Sequence, residues 1–193
     1  MGTAVGTRQG SVYGLLVSLG ARAQRLERRV LAPEVARAVA AQFGAVLLTL
    51  HGVTDGWAEA VADPLGAFAR LKSLDRARVE TLDARLVNLA VERDARVSAL
   101  DLDKDMQAEG YLTKVLGCSD AFAVPLRASG SFAGAAVIYL GQRSLPPSET
   151  DLMALGGLGD VLALASGPNG TRVPAQVNGT APARGFLARL LGR

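Results

Sequence analysis

The chain has 193 residues, of which 49% are hydrophobic and 20% charged, with a formal net charge of +3. This length suggests one domain with extensions, and the composition is ordinary for a soluble globular protein rather than a disordered or fibrous one. A single cysteine, Cys118, excludes an internal disulfide and any cysteine-cluster metal site, and no apolar run reaches about 18 residues, so no membrane span is expected.

No basic region followed by an apolar stretch and a cleavage site opens the chain, so a reducing cytoplasm is the expected compartment. The charge is unevenly spread. Residues 1–30 carry Arg8, Arg22, Arg25, Arg28 and Arg29 against Glu27, and residues 168–193 carry Arg172, Arg184, Arg189 and Arg193 with no acid. The stretch between these basic ends is therefore acidic. A nucleic-acid binder carries its basic patch on the folded domain, so the pattern argues against nucleic acid. A nucleic-acid-binding regulator working through the basic ends stays as an alternative.

Residues 1–10 are small and polar and are expected to be disordered. From there Val12, Leu16, Leu19, Ala23, Leu26 and Val30 recur in steps of four and three, the spacing of a heptad seam. Two readings fit. The seam packs on its own domain, or it forms a dimer interface through Val12, Leu16, Leu19, Leu26 and Val30. Pro33 suits the first turn of a second helix ending near Phe43.

Residues 45–51 (AVLLTLH) predict a buried strand, GVTDG a turn, and residues 57–62 the returning strand. Asp63-Pro64 predicts a helix start, and residues 64–94 are mostly helical in pattern with a break near Ser73. Residues 96–100 read as a short strand and lead into the acidic cluster Asp101, Asp103 and Asp105. That cluster lacks the glycine and glutamate of a calcium loop, since Met106 and Leu112 stand at those places. It reads as a solvated turn.

Strands are predicted over 122–127 and 134–140, joined by Ala128-Ser129-Gly130-Ser131. A closing helix begins near Pro147, with Ser148 as cap and Glu149 and Asp151 in its first turn. Gly156, Gly157 and Gly159 fall inside that helical pattern and predict close packing against the first helices. Residues 167–182 (GPNGTRVPAQVNGTAP) have the composition of a flexible linker. In residues 183–193, Phe186, Leu187, Leu190 and Leu191 share one helical face flanked by Arg184, Arg189 and Arg193.

The chemistry-bearing residues are few. His51 is the lone histidine and ends a strand, where it reads as an ordinary polar residue. A Cys118–His51 pair would need spatial adjacency. One histidine and one cysteine do not make a zinc site.

Four pieces in order, "VSALDLDKD", "LGCSDAFAVPL", "VPLRASGSFAGAAVIYL" and "PPSETDL", resemble the last two-thirds of a GAF domain, a small-ligand and signalling module. The resemblance covers residues 31–166. It implies an α+β fold: an antiparallel sheet of five or six strands with helices on both faces, here with an N-terminal helix (domain 11–166) and a tethered C-terminal helix. It implies a ligand pocket between the sheet and residues 101–122, with Asp101, Tyr111, Cys118 and Phe122 as candidates, and a homodimer through the first helix.

No cofactor is named by these residues. Where cyclic-nucleotide GAF domains carry their motif, this chain has Gln142, Arg143, Leu145, Asp151 and Leu152, a departure at nearly every position. Bilin-attaching relatives have a histidine after the cysteine, where Ser119 stands here, and sulfoxide reductases of this kind use several cysteines. The expected function is a non-enzymatic sensory or scaffolding module, with a redox or catalytic role of Cys118 as the alternative. The segment "RGFLARLLG" resembles the membrane-targeting helix of the division-site ATPase MinD. It implies binding to an anionic membrane at its inner face, while docking on a protein partner or on the chain's own domain stays open.

Overall fold

The computed structural model describes residues 11–52, 59–102 and 115–165. Helix α1 (Val12–Ala23) and helix α2 (Arg28–Phe43) lead into strands β1 (Ala45–Gly52) and β2 (Ala60–Ala62). Helix α3 (Ser73–Arg93) and strand β3 (Val97–Ser98) follow, then a 3-10 turn over Ala99–Asp101. Strands β4 (Cys118–Ala128) and β5 (Ser131–Gly141) form a hairpin, and helices α4 (Glu149–Gly156) and α5 (Leu158–Leu164) close the domain. The five strands make one antiparallel sheet in the order β2-β1-β5-β4-β3. This is the α+β architecture expected from sequence.

Strand alternation divides the core into two layers. Leu48 and Leu50 of β1, Phe122, Val124 and Leu126 of β4, and Ala136, Ile138 and Leu140 of β5 face α1, α2, α4 and α5. Leu47 of β1, Ala121 and Ala123 of β4, and Val137 and Tyr139 of β5 face α3. Helix α2 lies on the first face through Leu31, Ala32, Val35, Ala36, Val39, Ala40 and Phe43. The alanines in that stripe let the helix axis approach the sheet closely.

The hairpin turn follows from its residues. Ser129 and Gly130 both have positive φ, 51° and 77°, as a two-residue turn matching the strand twist requires. Ser148 caps α4 as expected: its Oγ accepts from the Asp151 N–H at 3.2 Å, and the Asp151 carboxylate accepts from the Ser148 N–H at 2.9 Å. This reciprocal pair satisfies two orphan donors.

Several expectations need correction. The seam from Val12 to Val30 is not one helix, because residues 24–27 turn between α1 and α2. The turn lets α1 pack on α4 and α5 while α2 packs on the sheet. Val12, Leu19 and Ala23 are buried in the chain's own core, Leu16 and Leu26 pack partly against it, and Val30 is exposed. The apolar face of α1 is thus occupied within the chain. Pro33 lies inside α2 rather than at its start, so the Arg29 carbonyl has no N–H four residues on. The next helix begins at Ser73, and residues 63–72 are turns.

Arg28, at the start of α2, is only 2% exposed. Its Nε donates to the Leu162 carbonyl at 2.9 Å and its Nη2 to the Ala165 carbonyl at 3.1 Å. Burial lowers its pKa from the usual arginine value, yet a guanidinium stays charged. Its position at the C-terminus of α5 suits the negative end of the helix dipole.

The closing glycines approach strand β4 as well as a first helix. A Cβ on Gly159 would lie 2.5 Å from the Arg127 carbonyl carbon and 2.7 Å from its nitrogen, whereas one on Gly157 would meet the Ala154 carbonyl oxygen at 3.2 Å and Leu16 at 3.7 Å. Gly159→Ala should therefore force α5 off the sheet and cost about 2–4 kcal/mol, from the middle of the usual range for overpacking to above it. Urea unfolding checks this, with Gly157→Ala as the milder comparison.

Candidate functional site

The buried stripe of α3 contains Val79, Leu82, Asp83, Leu86, Val87 and Ala90. A carboxylate in such a stripe is costly unless it finds donors. Asp83 is 5% exposed and has three. Thr49 Oγ1 donates to Oδ2 at 2.7 Å, Tyr139 Oη donates to Oδ1 at 2.9 Å, and His51 Nε2 lies 2.5 Å from Oδ2. His51 Nε2 is also 2.9 Å from Thr49 Oγ1. An ionised carboxylate only accepts, so these contacts assign the proton to Nε2 of His51.

The strand period assembles this set. Thr49 and His51 are two residues apart on β1 and so share the α3 face, and Tyr139 stands opposite Leu47 on the neighbouring strand β5. One carboxylate thereby joins the helix to two central strands. Tyr139 is fully buried, and its pKa is raised well above the usual phenol value, first by desolvation and then by the charge of Asp83 and the hydrogen bond to it. The phenol stays protonated and stays a donor.

Cys118 belongs to the same face and is 0% exposed. Burial, followed by the charge of Asp120, pushes its thiol up to about 12. Asp120 itself ties the sheet edge together: Ser98 Oγ donates to its two oxygens at 2.9 and 3.0 Å, and the Ala121 N–H donates to Oδ1 at 2.7 Å. A Cys118–His51 dyad is ruled out by register. His51 pairs with Ala135 of β5 and Cys118 with Gly141, which separates them by about 20 Å along the strand. Among the described residues no group of three His, Cys, Asp or Glu side chains could hold a metal ion.

Of the four sequence-predicted pocket residues, Cys118 and Phe122 stand on opposite faces of the sheet. Cys118 is on the α3 face, Asp101 ends the 3-10 turn, and Tyr111 lies outside the described residues. Phe122 points to the opposite face, into the layer of α1, α2, α4 and α5. The reason is a β-bulge between Cys118 and Asp120. By simple alternation Cys118 and Phe122 would share a face; the extra residue shifts the phase, so Cys118 shares its face with Ala121 and Ala123.

Thr49, Asp83 and Tyr139 were missed by sequence reasoning, and His51 was read as unremarkable. The available signal was Asp83 itself, an acid inside the i, i+3, i+4 apolar pattern of a helix. The predicted helix of residues 183–193, with Arg184, Phe186, Leu187, Arg189, Leu190 and Leu191, lies outside the described residues.

Two solved structures share this arrangement of sheet and helices. One is the phycocyanobilin-bound GAF domain from a cyanobacterial phytochrome: 18% identical, 81% of this chain and 93% of that one covered, TM-score 0.54. The other is the phycoerythrobilin-bound GAF domain from a cyanobacterial phytochrome: 18% identical, 81% and 94% covered, TM-score 0.53. The domain has the GAF fold. No protein-family model and no curated protein matches the sequence. In this GAF fold the Asp83 cluster marks the α3 face of the sheet, and no described helix is long and apolar enough to cross a membrane.

Two outcomes follow from this site. Asp83→Ala leaves two hydroxyls and an imidazole N–H without their acceptor and should cost about 3 kcal/mol or more, whereas Tyr139→Phe should cost about 1–2 kcal/mol; chemical denaturation measures both. Cys118 and Tyr139 have raised pKa values and so bind protons more tightly in the folded state. Their contribution to stability should be complete below the unfolded thiol value of about 8.5 and fall as pH rises from there toward about 12. Cys118→Ala should remove the first part of that slope, and native Cys118 should resist iodoacetamide at pH 8 until the chain is unfolded.

Proposed function

We propose that this chain is a non-enzymatic sensory or scaffolding domain of GAF type that acts as a dimer and is recruited to a membrane or a protein partner by residues 183–193. The observation that carries the sensory part is the GAF fold with a charged, hydrogen-bonded cluster on the α3 face of its sheet. The resemblance read from sequence puts ligands of GAF domains between the sheet and residues 101–122. In this chain that face carries Thr49, His51, Asp83, Tyr139 and Cys118. Fixed donors and a carboxylate in an otherwise apolar layer favour a small molecule with both polar and apolar parts.

The redox or catalytic alternative needs an accessible thiolate. A fully buried thiol with its pKa near 12, far from the lone histidine, speaks against it. Covalent attachment of a bilin, the group held by the two similar structures, meets the same obstacle and lacks a histidine after Cys118.

Dimerisation is proposed through the outer face of α1. Its inner face is occupied, while Tyr13 and Val17, one turn apart, are 55% and 74% exposed. Recruitment is supported by the apolar face Phe186, Leu187, Leu190 and Leu191 with its flanking arginines. One such tail binds a surface weakly, and two on a dimer bind better through effective concentration.

Native mass spectrometry of protein purified from its own cells tests the reading: it should show a dimer retaining a small molecule, and a bare monomer would refute it. Tyr13→Asp with Val17→Asp should give a folded monomer by light scattering. Phe186→Asp with Leu190→Asp should abolish binding to anionic liposomes, and binding of the unmodified chain should weaken with salt.

A further inference from the structure

A groove lies at the β2 edge of the sheet, on the opposite side of β1 from the hairpin. It is formed by Ala40 and Ala41 of α2, Val46 of β1, and Val61, Asp63 and Leu65, with Arg37 on its rim, and its volume is about 610 Å³. That size is in the range that receives a ligand or a few side chains, about 300–1,000 Å³. Val61 and Leu65 are 55% and 64% exposed. Asp63 is bound on one side only. Its Oδ2 accepts from the Ala69 N–H at 2.8 Å, while its Oδ1 is buried without a hydrogen-bond partner among the described residues.

We infer that this groove holds the chain's own residues 183–193, so that the recruitment segment is kept off its target until it is released. The inference rests on the recruitment reading above. Phe186 and Leu190, at i and i+4, are the anchors of a helix-in-groove contact, and the acidic Asp63 in the groove wall complements the charge of Arg184 and Arg189.

The chain's geometry permits this docking. Ala165, the last described residue, is tied by its carbonyl to Arg28 at the start of α2. The groove begins at Arg37 and reaches Gly44 on the same helix, so it lies about 14–24 Å from that tie at 1.5 Å per residue. Residues 166–182 separate Ala165 from the segment, and a coil of that length spans about 23 Å root-mean-square. The match between span and reach puts the local concentration of the segment near the millimolar range. A contact too weak to hold a free peptide then suffices in cis. Arg37 opposes the tail's arginines, but it is exposed on the rim, where solvent screens it.

The test uses the full chain with Gly192→Cys carrying a nitroxide; Cys118 is buried and stays unlabelled. Broadening of the Ala41, Val61 and Leu65 amides is expected, with none at Val97 and Ser98 on the opposite edge of the sheet. Val61→Asp with Leu65→Asp, both at exposed positions, should abolish that broadening. The same pair should raise affinity for anionic liposomes about tenfold, as for a segment about one-tenth free.

No broadening at the groove, equal broadening at both edges, or broadening that survives Phe186→Asp with Leu190→Asp would overturn the inference. So would broadening that appears in unlabelled isotope-enriched protein mixed with spin-labelled protein, which would assign the groove to a second copy. Groove broadening with no liposome binding by any variant leaves the docking standing and removes the membrane. Liposome binding without groove broadening does the reverse.

Discussion

The carboxylate of Asp83 is the constraint around which the α3 layer is arranged. It enters an apolar layer on a helix and is held by Thr49, His51 and Tyr139 from two different strands. A buried charge removed from its donors costs several times what an ordinary hydrogen bond contributes. The position and rotation of α3 over the sheet are therefore set by this one group more narrowly than by the leucines around it, which tolerate small shifts. Any molecule that binds on this face meets a helix whose placement depends on a polar contact, and such a contact can be rearranged by competing donors.

The opposite face has its own buried charge. Arg28 reaches the last carbonyls of α5 and connects the beginning of α2 to the point where the described chain ends. The two ions differ in what they do. Asp83 joins a helix to the sheet, whereas Arg28 joins two helices of one layer and fixes the position of Ala165, the last described residue. In each case the charge is satisfied by fixed partners, as buried ions must be.

Cys118 shows how position decides chemistry. Its thiol is the most reactive group in the sequence by residue type. Burial and the neighbouring Asp120 keep it protonated, and the register of β5 keeps it away from His51. The residue packs as a small apolar side chain in the α3 layer.

Most of the fold was legible in the sequence. The AVLLTLH strand, the hairpin about Ser129-Gly130 and the Ser148 cap follow from local patterns, because alternation, turn chemistry and capping depend on residues close together in the chain, while the α+β class came from the GAF resemblance. The assignment of faces was not legible. Phe122 turned away from Cys118 because of a single bulge, which no local pattern marked. The seam from Val12 to Val30 kept its apolar spacing but lost its continuity, because a turn at residues 24–27 lets α1 pack on α4 and α5 while α2 packs on the sheet. The Asp83 cluster joins residues 34, 32 and 56 positions apart. The sequence by itself determined most strands, turns and caps, though not where each helix starts or breaks. Only the packing of sheet against helix decided which polar groups meet, since a buried carboxylate takes its donors from whatever the tertiary structure brings within about 3 Å.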